Sequence, residues 1–142
     1  MDALTFLSAH VALFGGISSE ELTELAVNAT LRKLAPGQIV LRAGTTVDEL
    51  HVVATGKVEV HAKVANKGMV RVGELGPGDV FGEISILENT VAGATVKAGE
   101  AGAIVLLIPE APFRGLIAAN ETFAARVRAL VQSRRFTPPT AA

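Results

Sequence analysis

The sequence predicts a mainly β chain with flanking helices: an eight-stranded antiparallel jelly roll (double-stranded β-helix) with an N-terminal helical segment, a short internal helix and a C-terminal helix. Three observations carry this expectation. Turn signals recur at Pro36-Gly37, Gly44, Gly56, Lys67-Gly68 and Gly76-Pro77-Gly78, 7 to 12 residues apart, as in a series of short strands. Between them the apolar period is two, most plainly in "KVEVHAKV", where Val58, Val60, Ala62 and Val64 face one way and Lys57, Glu59, His61 and Lys63 the other. Before about residue 31 and after Pro109 the period becomes helical.

In chain order, Leu4, Leu7, Val11 and Phe14 form a helical stripe behind Asp2, a side chain suited to capping, and Gly15-Gly16 ends it. A second helix begins at the capping box of Ser18 and Glu21 and presents Leu22, Leu25, Ala26 and Ala29 on one face. The strands follow as "QIVLRA", "LHVVAT", "KVEVHAKV" and "MVRVGEL", then "ATVKA" and "AIVLLIP" after the Gly82 segment, eight or so in all around one core. Phe113, Leu116, Ile117, Phe123, Val127, Leu130 and Val131 restore helical spacing, with a break near Asn120, and Arg134-Arg135 fall at the negative end of the helix dipole. The expected layout is one domain over residues 1–136: helices to 30, the roll over 31–109, the C-terminal helix over 110–136. Residues 137–142 are expected to form a flexible tail.

Thirteen basic against fourteen acidic residues leave a net charge of −1, so no global field draws the chain to nucleic acid or to an anionic membrane. The basic cluster Arg126, Arg128, Arg134 and Arg135 is expected to be a solvated helix face. With no cysteine, disulfides and thiolate chemistry are excluded. The N-terminus lacks a secretory pattern, and no apolar run approaches the roughly 20 residues of a membrane span. The expected setting is soluble and cytoplasmic.

The stretch "FGEISILENTVAGATV", residues 81–96, carries the functional signal. A glycine before a short apolar run lets bare N–H groups converge as on an anion, yet no Lys, Arg or His stands between Glu83 and Lys97. Together with "LAPGQIVLRAGT", "VVATGKVEV", "LGPGDVFGEISIL" and "GATV", it resembles the cyclic nucleotide-binding domain family, the sensor domain of catabolite-activator-like proteins, from about Phe6 to Arg135. The resemblance implies that residues 81–96 are a phosphate-binding cassette. Gly82, Ile84 and Ser85 then match the backbone donors to the cyclic phosphate, and Glu83 matches the acceptor of the ribose 2′-hydroxyl. Val60 and Gly73 match positions near the purine, although Val60 also reads as simple core. Ala92 stands where the family places its phosphate-binding arginine, and Gly93 where many members place a hydroxyl residue or alanine. Lys97, just after the cassette, and Arg42, Lys63 and Arg71, on other strands, are the candidate substitute cations and read as solvated strand residues. The final helix stops near Phe136, so its last turns, a neighbouring subunit or another segment would cover an otherwise open pocket.

Other chemistries are weaker. His10, His51 and His61 with Glu59 lack the clustered spacing of a jelly-roll metal site, and solvated or edge positions are expected for all three. No serine sits in a sharp nucleophile turn, and Glu83 and Glu88 fall on different helix faces, so no enzyme is expected. Two readings stay open. One is a regulatory sensor for cyclic AMP or cyclic GMP, weakened at Ala92 and requiring no cofactor. The other is the same fold serving as a contact surface for a protein partner or a homo-oligomer, or responding to an uncharged or unrelated ligand.

Overall fold

The computed structural model describes residues 2–136; the predicted tail 137–142 lies outside the described residues. Helix α1 (Ala3–His10) is capped by Asp2, whose carboxylate accepts from the Thr5 N–H at 2.8 Å. It stops at Val11, earlier than the apolar stripe suggests, because Ala12–Phe14 tighten into a 3-10 turn that drives Leu13 and Phe14 into the core. Helix α2 (Ser19–Val27) opens on the capping box: the Ser18 hydroxyl accepts from the Glu21 N–H at 3.2 Å and donates to its carboxylate at 3.0 Å.

Six strands follow: β1 (Thr30–Leu34), β2 (Ile39–Leu41), β3 (Glu49–Val64), β4 (Gly68–Leu75), β5 (Val80–Phe81) and β6 (Thr95–Pro109). They form one antiparallel sheet in the order β1-β6-β3-β4, with β2 on β6 and β5 on β3. Among the described residues the count is six where eight or so were expected, because two of the expected strand breaks lie inside long strands. "LHVVAT" and "KVEVHAKV" run together through Gly56, and "ATVKA" and "AIVLLIP" through Gly102, both at φ +76. β3 and β6 stay paired past this point, from Glu49↔Pro109 to His61↔Thr95, at the cost of two register shifts. A Cβ on Gly56 would overlap the Gly102 carbonyl and approach Ala103 Cα to 2.9 Å, so the two backbones can bend past each other only as glycine.

The apolar interior has two parts. Inside the roll, Leu34, Val53, Val58, Phe81, Val96 and Val105 are buried. Outside it, the helices pack on the other face of the sheet around Leu50, Val52 and Ile108. There Phe123 stacks on Phe14 at 5.4 Å and meets Phe113 edge-on at 5.9 Å. Phe113 belongs to α4 (Glu110–Ala119) and Phe123 to α5 (Glu121–Phe136), so these rings dock the C-terminal helices onto the N-terminal ones. The break falls at Asn120, whose side chain accepts from the Phe123 N–H and restarts the helix. Among the described residues no helix is long and apolar enough to cross a membrane.

Candidate ligand-binding site

Between β5 and β6 the chain makes one helical turn and a half, α3 (Glu83–Glu88). Gly82 precedes it at φ +92, where a Cβ would press on the Glu49 carbonyl, Val47 and His51 at 3.2 to 3.3 Å. Only glycine turns the chain there without that crowding. At the other end Asn89 takes the left-handed conformation, and the Thr90 N–H returns to the Ser85 carbonyl at 3.0 Å. The segment after it is strapped down: the Ala92 N–H donates to Thr45 O and its carbonyl accepts from the Gly44 N–H, both at 2.8 Å.

These elements enclose a cavity of about 560 Å³. Gly82, Glu83, Ile84, Ser85, Ala92 and Gly93 all line it from the cassette side, and Val60 and Gly73 line it from the β3–β4 ladder, where they are directly paired. The eight residues singled out in the sequence therefore share one cavity. Val60 is only half-buried, with its surface toward the cavity. Lys97, Arg42, Lys63 and Arg71 do not line it; Arg42 borders a separate groove beside β2 and the loop that follows.

Glu83 is the chemically distinctive group, 1% exposed and facing the cavity. Burial pushes its pKa up, opposed by the charge of Arg134 and by the amides of Glu83 and Ile84 beside the carboxylate. Arg134 reaches in from the last turns of α5, and its Nη1 donates to Glu83 Oε2 at 2.6 Å. The sequence reading took Arg134 as a dipole complement or solvated residue; in the fold it is a cation lining the cavity. The side chain of Arg135 lies outside the described residues.

A second arginine grips the far end of α3. Arg114 on α4 donates through Nη2 to the Ile86 carbonyl and to Asn89 Oδ1, while its Nε pairs with Glu110 at 3.0 Å. The short helix is thus held at its start by α5 and at its end by α4.

The histidines diverge from expectation. His10 is exposed and His61 half-buried, the latter 3.0 Å from Glu59 in a network with Arg71. His51, expected at a solvated or edge position, is 5% exposed, because β5 pairs with β3 there and lays Phe81 over its ring at 4.6 Å. Its Nδ1 is buried without a hydrogen-bond partner among the described residues.

Residues 31–120 match the family model of the cyclic nucleotide-binding domain. A cAMP-dependent protein kinase regulatory subunit of Blastocladiella emersonii is 29% identical over 105 residues, covering 74% of this chain and 26% of that subunit. Potassium channel SKOR of Arabidopsis thaliana is 33% identical over 90 residues, covering 63% of this chain and 11% of the channel. The chain thus spans about a quarter or less of these relatives. Among solved structures, the Thermus thermophilus catabolite activator protein superposes with a TM-score of 0.73 at 26% identity, over 86% of this chain and 57% of its own. The regulatory subunit of a cAMP-independent protein kinase A from Trypanosoma cruzi, bound to guanosine, gives 0.78 at 26% identity, over 96% and 46%.

Proposed function

This chain belongs to the cyclic nucleotide-binding domain family, and from that premise we propose that it is a regulatory module sensing a ribose-containing ligand, with cyclic AMP and cyclic GMP as the reference compounds. One observation carries the reading: a buried carboxylate, Glu83, faces a nucleotide-sized cavity beside the amides that open α3. A carboxylate is an acceptor only, so it can read a sugar hydroxyl and would repel a phosphate placed against it. In this assignment Glu83 accepts from the 2′-hydroxyl, the Gly82 to Ser85 backbone faces the phosphate side, and the base lies along Val60 and Gly73. Ala92 and Gly93 supply no charge. An arginine there would add charge-assisted hydrogen bonds worth about 1.5 to 3 kcal/mol each, so cyclic nucleotides bind tenfold to several thousandfold more weakly than to a site that has one.

The signal leaves through α5. A hydroxyl arriving at Glu83 competes with Arg134 for the carboxylate, and the position of the terminal helix becomes linked to occupancy. The guanosine held by the Trypanosoma cruzi protein supports including nucleosides among the ligands to be tried. Titration calorimetry with cyclic AMP and cyclic GMP, paired with thermal melts, tests the reading. A ligand at 100 times its Kd stabilises the fold by about 2.7 kcal/mol. Absence of both heat and a melting shift with millimolar cyclic nucleotides and nucleosides refutes it, and leaves the fold as a contact module.

A further inference from the structure

We infer that the cavity selects an uncharged ribonucleoside over a cyclic phosphate, because its one guanidinium is already committed to Glu83. This rests on the ligand-sensing reading above and names the class of ligand within it.

Among the described residues lining the cavity, the ionisable groups are Glu74, Glu83 and Arg134. Glu74 is paired from the outer face by Lys57 and Arg71. What remains is one carboxylate and one guanidinium 2.6 Å apart, a neutral pair. A ligand phosphate would therefore bring a second anion to a place where the guanidinium already balances the first. With only six residues, α3 has little dipole to offset this, and Ala92, Gly93 and Ala94 on the facing wall add no donor side chain.

A neutral sugar escapes that conflict, because its hydroxyls donate as well as accept. One can donate to Glu83. Another can donate to Ser85 Oγ, which gives its own proton to the Val91 carbonyl at 3.2 Å and keeps lone pairs for a ligand. Gly73 and Gly93 leave space, since a Cβ on either would meet nothing within 4 Å, and a cavity of about 560 Å³ lies in the range that takes a nucleoside.

The test is calorimetric titration of the full chain with adenosine, guanosine, cyclic AMP and cyclic GMP. At least one nucleoside is expected to bind tenfold or more tightly than its own 3′,5′-cyclic phosphate. Ala92→Arg, folded by circular dichroism, is expected to shift that ratio tenfold or more toward the cyclic phosphate. If the variant does not fold, the ratio in the natural chain decides alone. A cyclic nucleotide that binds as tightly as its nucleoside, or more so, overturns this inference and leaves the sensing function intact. Silence toward all four compounds overturns both.

Discussion

Acid should act on this fold through His51. The ring is 5% exposed and stacked on Phe81, and its Nδ1 has no partner among the described residues. Burial depresses its pKa from 6.5 to about 4; the carbonyls of Glu49 and Phe81 favour the proton, while the charge of Arg32 on β1 disfavours it. The unfolded chain thus takes a proton near pH 6.5 that the folded chain refuses until about 4. Stability from this group is complete above pH 6.5 and is lost as pH falls through that window. The linkage amounts to about 2 kcal/mol at pH 5 and about 3 at pH 4, a large share of the roughly 5 to 15 kcal/mol that holds a domain together. Glu83, whose pKa is raised, works in the opposite sense: the folded state gains stability as pH falls toward 4.5, so the total profile mixes the two. Comparing His51→Leu with the natural chain cancels everything but the histidine. Urea unfolding followed by circular dichroism at pH 7.5, 6 and 5 gives each difference by linear extrapolation. The variant should gain about 2 kcal/mol relative to the natural chain between pH 7.5 and 5. A difference that stays constant across the three pH values refutes the argument.

Two further outcomes follow from the same contacts. Gly56→Ala places a methyl against the Gly102 carbonyl at φ +76 and should cost about 2 to 3 kcal/mol, seen as a melting temperature lower by roughly 10 °C. Arg134→Gln leaves Glu83 buried without its cation and should cost about 2 kcal/mol at pH 8; because losing the cation pushes the Glu83 pKa further up, the deficit in urea unfolding should shrink as the pH is lowered.

Whatever is local chemistry was legible in the sequence. Asp2, the Ser18 and Glu21 box and the Asn120 break act within four residues of themselves, so their hydrogen bonds could be anticipated from spacing alone. Gly82 to Gly93 were marked by the family resemblance, and they reach one cavity wall because they are close in the chain. Gly56 was misread because a glycine with positive φ looks like a turn until its partner is known. That partner, Gly102, belongs to a strand whose register no short pattern encodes. Arg134 meets Glu83 across 51 residues, brought there by the docking of α5, in which Phe123 stacks on Phe14 and meets Phe113 edge-on and Arg126 donates to the Leu13 and Gly15 carbonyls. His51 was misplaced because its burial comes from β5, a strand of two residues with almost no periodic signature.

Helix α3 is about 9 Å long at 1.5 Å per residue, and its two ends answer to different neighbours: Arg134 of α5 at Glu83, Arg114 of α4 at Ile86 and Asn89. A sliding motion of α3 pulls both arginines the same way and carries α4 and α5 as a unit. A tilt pulls them in opposite senses and works the joint at Asn120 between them. The direction in which a ligand moves this short rod, more than the distance, therefore decides whether the angle between α4 and α5 changes or only their position.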